Sequence, residues 1–276
     1  MLFRSAAVTF VPSRQTIAGD IEQCDELCQR TEMVVTEIWR YPVKSMAGER
    51  LTTAEVGEYG IAGDRGWGVL DRSTGMVLTA RRAPLLLFAT ARVDAAGDVV
   101  IVLPDDAEVR MGANGDQTLG DWLGLDVELC VAGEAGGTYE NPMNVIDEAD
   151  WVAWQGPGGA WHDSAKSRVS LVSSGTLGQW DVRRFRTNVV VAGNGEDALV
   201  GGSIRLGTCR IDVVKRIDRC IMVTRAQPGL ERDLGVLQTI NRERASCLSV
   251  GGLVVRPGVI EIGDQLERDQ IAPVEG

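Results

Sequence analysis

The sequence contains one histidine, three lysines and no long apolar run. Its 276 residues carry a formal net charge of -11 and the pI is near 4.7, so we expect neither nucleic acid nor a membrane surface as a partner. No apolar run approaches the roughly 20 residues of a membrane-spanning helix. Almost all positive charge is arginine. This favours forked contacts with anions, although a genomic composition bias explains the ratio equally well.

The six cysteines are scattered and show no spacing typical of a disulfide framework. We interpret them as reduced thiols of a cytoplasmic protein. Cys24 and Cys28 are separated by three residues and have no second pair, and the single histidine is His162. The sequence therefore does not predict a zinc site.

The first residues differ from the rest of the chain. A short apolar stretch at 5–11 ends at Pro12, so its apolar region is too short for secretion. Residues 20–32 are polar and acidic, and Met33 precedes the first strand-like run. We expect residues 1–32 to be a disordered extension. A start codon placed too far upstream of Met33 would explain why these residues differ from the rest of the chain.

From residue 34 onward the pattern predicts short strands separated by Gly, Pro and Asp. The predicted strands are 34–41, 51–56, 67–71, 85–93, 99–103 and 127–131, then 170–173, 185–192, 203–206, 210–214 and 221–224. Helices are predicted at 118–123, 177–180 and 233–245, and 250–262 predicts a hairpin turning at Pro257 and Gly258. Glycines near residue 133 mark a joint between domains 33–132 and 133–276. The predicted fold class is mainly β, barrel-like, with a few helices.

Three basic fragments are candidates for anion binding. In residues 184–191, an alternation of period two places Arg184, Arg186 and Asn188 on one strand face, which predicts either a binding face or a solvated one. Lys44 and Ser45 follow a proline that ends a strand, and Arg65 lies in a glycine-rich turn. The fragments that carry Lys44 and Arg65 are also compatible with ordinary exposed turns.

Two hydroxyl motifs are less specific. Ser173 and Ser174 lie where a strand ends and a helix begins, which suits a phosphate or a plain N-cap equally well. The sequence His162-Asp163-Ser164 is similar to part of a hydrolytic triad, but no Gly-x-Ser-x-Gly nucleophile elbow is present. We do not predict a serine hydrolase.

Cys220 differs from the other cysteines because arginines flank it. A free cysteine is usually a small buried hydrophobe, and Cys130 and Cys209 lie in apolar strands where that interpretation suffices. Arg216 and Arg219 near Cys220 favour a thiolate, which is a nucleophile and a ligand for soft metals.

Taken in order, these fragments resemble the MOSC family, in which a MOSC N-terminal β-barrel domain precedes a MOSC β-barrel domain named after the C-terminal part of molybdenum cofactor sulfurase. The resemblance covers about residues 34–266. It rests on Tyr-Pro-Val-Lys-Ser at 41, Gly-Asp-Arg-Gly-Trp at 63, Arg-Phe-Arg-Thr-Asn-Val-Val-Val at 184, Arg-Cys at 219 and Gly-Asp at 263. The branch that the chain resembles most is the amidoxime-reducing component and its bacterial relatives.

The resemblance implies a molybdenum cofactor of the molybdopterin form. Cys220 would be the molybdenum ligand and the catalytic residue. The implied cofactor-binding residues are Lys44, Ser45, Arg65, Arg186 and Asn188, with Ser173, Ser174 and Arg219 as further contacts. At the family level only, the resemblance also implies an association with pyridoxal phosphate binding.

The implied activity is reduction of small N-hydroxylated substrates such as amidoximes, hydroxylamines or N-oxides. No iron-sulfur or desulfurase domain accompanies the matched motifs, so electrons would come from a separate ferredoxin-like, cytochrome or flavin reductase partner. Lys215-Arg216-Ile217 replaces the family's Pro-Cys segment before the ligand, so the ligand loop departs from the family pattern. The alternatives are a sulfur carrier with a persulfide on Cys220, and a cofactor-binding protein without turnover.

Overall fold

The computed structural model describes residues 33–144 and 149–269, which belong to one compact unit. The expectation of a disordered extension at 1–32 lies outside these described residues. Within them, no helix combines the length and the apolar character needed to cross a membrane.

Short strands dominate the described residues, and the predicted mainly β fold class is confirmed. The strands are β1 Val35–Arg40, β2 Glu49–Leu51, β3 Thr53–Gly57, β4 Gly60–Ile61, β5 Trp67–Asp71, β6 Met76–Val77, β7 Thr90–Val93, β8 Val99–Val102, β9 Glu108–Val109, β10 Val127–Val131, β11 Thr138–Asn144, β12 Ala149–Gln155, β13 Val169–Ser173, β14 Val189–Val191, β15 Ser203–Leu206, β16 Cys209–Asp218, β17 Cys247–Arg256, β18 Gly258–Glu261 and β19 Leu266–Arg268.

One eight-stranded sheet joins both ends of the chain in the order β19-β15-β16-β17-β13-β14-β1-β2. Its pairs are antiparallel except for β13 with β14. A parallel pair requires a crossover connection, and residues 174–188 provide it. Because β1 pairs with β14, the loop that follows β1 lies next to the end of this crossover.

Four smaller sheets surround the large one. They have the orders β10-β5-β6, β11-β12, β18-β3-β4 and β7-β8-β9. Strands β1 and β2 therefore share a sheet with strands from the second half, and β3 pairs with β18. The boundary between domains 33–132 and 133–276 stays a prediction.

Three α-helices occur among the described residues: α1 Ala113–Leu123, α2 Ser174–Leu177 and α3 Leu234–Arg244. Helix α3 matches its prediction, with the Asp233 carboxylate accepting a hydrogen bond from the backbone of Gly235 at 2.8 Å. Helix α1 is longer than the predicted 118–123. It ends at Leu123 and is capped by Gly124, whose φ of 69° is left-handed. Four 3₁₀ segments, Pro84–Phe88, Val182–Arg184, Glu196–Leu199 and Ile221–Thr224, complete the helical structure of this part of the chain.

Five predicted elements are wrong. The helix predicted at 177–180 is displaced, because α2 ends at Leu177. Residues 250–262 do not form a hairpin, because β17 pairs with β13 and β16 whereas β18 pairs with β3. Residues 221–224 form a 3₁₀ helix instead of a strand. The predicted strand 85–93 begins with a 3₁₀ turn at Pro84, which fixes φ and lacks an N-H for the ladder. The strand predicted at 185–192 is confined to β14.

Apolar clusters hold the chain on each side of the basic fragments. Val43 and Met46 are fully buried in one cluster with Leu86. Phe185 and Val223 are buried in another cluster. These anchors flank the segments that carry Lys44, Arg186 and Cys220, so packing fixes the backbone from which the polar side chains project.

Candidate functional site

A cavity of about 480 Å³ lies where these anchored segments meet. Its lining includes seven cationic and two anionic side chains, although the whole chain is acidic. The charged lining residues are Lys44, Arg65, Arg81, Arg184, Arg186, Lys215 and Arg219 with Asp163 and Asp218. The cavity concentrates positive potential and suits an anionic ligand.

Lys44 lies directly after the bridge between Val43 and Trp67, and its side chain is 6% exposed. Its Nζ donates to the Trp161 carbonyl at 3.0 Å and to Asp163 Oδ1 at 2.8 Å. The same ammonium lies 4.1 Å from the ring centroid of Tyr139. Burial lowers the pKa of Lys44, and the Asp163 carboxylate opposes that shift. Protein groups therefore surround the ammonium.

Asp163 presents a carboxylate to the same cavity. Its side chain is 76% exposed, and Oδ1 accepts the Lys44 hydrogen bond. Desolvation favours protonation, but the charges of Lys44, Arg81 and Arg65 outweigh it and hold the pKa of Asp163 below its ordinary value. Asp163 is therefore a permanent acceptor at neutral pH. Sequence reasoning considered it only as a triad fragment.

Ser45 fixes a second cationic loop. Its φ of 70° is left-handed, and its Oγ accepts a hydrogen bond from the backbone N-H of Ala80 at 2.9 Å. The next residue, Arg81, reaches Cys220 with Nη2 at 3.5 Å from Sγ. Arg81 was missed because the contact spans 139 residues. In the sequence, the only indication of a further basic group was the pair Arg81 and Arg82, which lies shortly before Pro84.

Arg65 is held in the turn from which it reaches the cavity. Its φ is 54°, and its backbone N-H donates to the Tyr41 carbonyl at 2.8 Å. Its guanidinium bonds the buried Asp64 carboxylate and donates to the Arg186 carbonyl at 3.0 Å. Burial acts to lower the pKa of Arg65. The Asp64 carboxylate outweighs burial, so the pKa of Arg65 is raised.

Arg186 joins the crossover to the loop that follows β1. Its guanidinium donates to the Met46 carbonyl and, at 3.4 Å, to the Val43 carbonyl, and it lies 4.6 Å from the Tyr41 ring centroid. Burial, with a smaller contribution from Arg65, lowers the pKa of Arg186 to about 10. Arg186 has a φ of 52°, so the predicted alternation of period two through 184–188 is wrong. The crossover nevertheless brings Arg184, Arg186 and Asn188 to the cavity.

Asn188 is 2% exposed and lies against Ser170. Its Oδ1 accepts hydrogen bonds from Ser170 Oγ at 2.9 Å and from the Ser170 backbone at 3.1 Å. Its Nδ2 donates to the Trp39 carbonyl at 3.3 Å. The amide of Asn188, which directly precedes β14, thus links β13 and β1 within the cavity lining.

Arg219 supports the backbone beside Cys220. Its Nε donates to the Leu248 carbonyl at 2.9 Å, and its Nη1 donates to the Phe185 carbonyl at 2.8 Å. Nη2 bonds the hydroxyl of Ser249, a residue whose φ is 72°. Burial lowers the pKa of Arg219 to about 10, and the nearby Cys220 opposes this shift.

Cys220 immediately precedes the 3₁₀ helix Ile221–Thr224 and lines the cavity. The expectation that Arg216 flanks the thiol is wrong. The guanidinium of Arg216 lies 3.3 Å from Asp197 and donates to the Arg244 carbonyl at 2.7 Å. Strand β16 directs it away from the cavity, so Arg81 takes its place at the sulfur atom.

Ser173 and Ser174 are not among the residues that line the cavity, and their expected place among the cofactor contacts stays a prediction. The Ser173 hydroxyl is fully buried, donates to Glu196 at 2.5 Å and accepts from the Thr176 backbone at 3.2 Å. Ser174 Oγ accepts from the Gly193 backbone at 3.2 Å. The N-cap alternative describes Ser173.

His162 is expected to titrate far below an ordinary histidine. Burial lowers its pKa from 6.5 to about 4, and its Nε2 lies 3.0 Å from the Tyr59 carbonyl. Because the folded-state pKa is depressed, the associated stability is fully present above pH 6.5 and is lost as the pH falls towards 4. We expect about 2 kcal/mol to be lost between pH 7 and pH 5.

The chain has one histidine, so a single imidazole signal in a pH titration by NMR reports this pKa. His162→Gln keeps a donor for the Tyr59 carbonyl and should flatten the pH dependence of urea unfolding. An imidazole midpoint near 6.5 would contradict the buried position.

Two family models match the chain. The MOSC N-terminal beta barrel domain matches residues 32–137, and the MOSC domain matches residues 132–267. A search of curated proteins found no match.

Several solved structures are similar to the chain. The YuaD protein from Bacillus subtilis is 12% identical, with 86% of this chain and 94% of that chain covered and a TM-score of 0.44. YiiM from Geobacillus stearothermophilus is 16% identical over 50% of this chain and 75% of that one, with a TM-score of 0.32. A hypothetical protein is 10% identical over 90% of this chain and 73% of that one, with a TM-score of 0.40.

Proposed function

Because the chain belongs to the MOSC family, which is associated with the molybdenum cofactor, we propose that it binds this cofactor and reduces N-hydroxylated substrates. The observation that carries the proposal is a cationic cavity whose lining includes the thiol of Cys220 beside Arg81. Its volume of about 480 Å³ lies within the range of sites for cofactors and small molecules.

The donor set of the cavity fits an anionic, sulfur-rich metal cofactor. A thiolate is a soft ligand that suits molybdenum, and the surrounding guanidinium groups would offset a phosphate and dithiolene charge. Cys220 would supply the protein ligand to the metal. Arg65, Arg186 and Arg219 would supply positive potential, since many of their N-H groups already bond the protein. When bound, the cofactor supplies the two-electron chemistry that removes oxygen from the substrate.

The protein's own groups would orient the reactants and hold protons. Lys44 is a buried ammonium, and desolvation makes its proton easier to release than that of an exposed lysine. Arg81 would hold the sulfur of Cys220 in place through the 3.5 Å contact. A separate ferredoxin-like, cytochrome or flavin reductase partner would deliver the electrons.

The purified protein should depend on an added reductant. The sequence carries no flavin or pyridine-nucleotide fingerprint, so NADH alone should leave benzamidoxime unchanged, whereas reduced viologen should support its conversion to benzamidine. Product formation measured by chromatography tests this expectation. Robust turnover with NADH alone, or none with reduced viologen in molybdenum-loaded protein, would contradict the proposal.

The contact between Arg81 and Cys220 also favours a second candidate, a sulfur carrier with a persulfide on Cys220. A cation beside the sulfur would stabilise a persulfide anion as well as a thiolate. Such a carrier need not retain stoichiometric molybdenum, so metal analysis separates it from the reductase. A cofactor-binding protein without turnover would retain the metal and fail the viologen assay.

A further inference from the structure

The carboxylate of Asp163 carries a negative charge in a cavity whose other charged groups mostly suit an anion. Of the two lining carboxylates, Asp218 bonds Lys215 Nζ at 3.0 Å at an exposed position. Asp163 instead lies beside a buried ammonium and remains 76% exposed itself. A carboxylate held in this way is an acceptor directed at a ligand that carries N-H donors.

Lys44 directs at least two of its three N-H donors at protein groups. One N-H reaches the Trp161 carbonyl, another reaches Asp163, and the charge lies over the Tyr139 ring. An ammonium has three donors, and its side chain here is 6% exposed. Lys44 therefore acts through Asp163, as a positioning residue that orients the carboxylate and keeps it charged.

We propose that Asp163 recognises an amidine-type unit, in which one carbon bears two nitrogens and at least one of them offers N-H donors to the carboxylate. The inference rests on the proposed function, because two ligands of that function contain the unit. One is the aminopyrimidine edge of the pterin, and the other is an amidoxime or N-hydroxyguanidine substrate. An N-oxide lacks these donors and would gain nothing from Asp163.

The test uses two ligands that differ by one amino group. Benzamidoxime has the N-C-N unit, and benzaldoxime lacks its amino group. Calorimetric titration of the full-length protein without reductant measures binding with no turnover. We expect wild-type protein to bind benzamidoxime about tenfold more tightly than benzaldoxime, since a hydrogen bond to a charged group commonly has an effect of this size.

Asp163→Asn should abolish this preference, because the amide can turn a donor towards the ligand where the carboxylate had only acceptors. The matched control is Asp218→Asn, which removes the other carboxylate of the cavity and should keep the preference. Thermal melting of both variants verifies that they are folded.

Cofactor-loaded and cofactor-free protein separate the two sources of the amidine unit. In one outcome, cofactor-loaded protein still prefers benzamidoxime over benzaldoxime, and Asp163→Asn has the same pterin content as wild type. Asp163 then recognises the substrate. In the other outcome, only cofactor-free protein shows the preference, and Asp163→Asn has a severalfold lower pterin content. Asp163 then recognises the pterin.

Equal preferences in folded wild-type and Asp163→Asn proteins, together with equal pterin content, would overturn the proposal. The cofactor-free titration remains informative if the protein proves to bind no molybdenum. Failure of the reductase assignment is therefore distinguishable from failure of this inference.

Discussion

Replacing Cys220 with serine is expected to abolish viologen-driven reduction of benzamidoxime while most of the pterin remains bound. The cationic groups that would hold the pterin do not depend on the sulfur atom, because they are fixed by backbone carbonyls and by Asp64. A hydroxyl is a poor replacement for a thiolate on a soft metal. We expect a loss of at least about a hundredfold in turnover, comparable to the removal of other catalytic groups.

The readouts are turnover, pterin content and X-ray absorption at the molybdenum edge, where the sulfur contribution should shrink by about one scatterer. Cys209→Ser is the matched control because Cys209 is fully buried in β16. It should cost stability through a buried hydroxyl and leave the metal environment unchanged. Full activity in Cys220→Ser, combined with loss in another cysteine variant, would move the ligand elsewhere.

Arg186→Ala is expected to lower cofactor content and stability together. The substitution removes a cavity cation and the donor to the buried Met46 carbonyl, whereas the Val43 carbonyl keeps the hydrogen bond from the backbone N-H of Met46 at 3.2 Å. Each buried acceptor left without a partner costs about 1–3 kcal/mol. For a domain of this size, each kcal/mol lowers Tm by about 2–4 °C, so we expect calorimetry to show a drop of about 2–12 °C.

The matched control for Arg186 is Arg205→Ala. Arg205 is 54% exposed and pairs with the equally exposed Glu267, and surface pairs of this kind contribute about 0–1 kcal/mol. Tm and pterin content should both stay close to wild type in this control. Unchanged pterin content in a destabilised Arg186→Ala protein would limit Arg186 to a structural role.

The sequence predicted the fold class because alternation and turn residues are local signals. The prediction was wrong where a strand pairs with a partner that is distant in the sequence. Strand β18 pairs with β3 across roughly two hundred residues, so a turn at Pro257 and Gly258 could not reveal the partner. The left-handed conformation of Arg186 also breaks an alternation that looks regular in the sequence.

For the candidate site, the motif resemblance selected residues that the fold brings to one cavity, among them Lys44, Arg65, Arg186 and Cys220. Their roles stay predictions. Arg81 and Asp163 were missed because their significance lies in contacts with Cys220 and Lys44, which are remote in the chain. For Ser173 an N-cap and a phosphate site look alike in sequence, and its hydrogen bond to the buried Glu196 is visible only in the structure.

Molybdenum and pterin analysis of protein purified from a host that makes the cofactor is the most direct test of the central claim. The account predicts close to one molybdenum and one pterin per chain in wild-type protein, with the metal bound through one protein sulfur that disappears in Cys220→Ser. Folded protein from such a host that contains neither molybdenum nor pterin would contradict it.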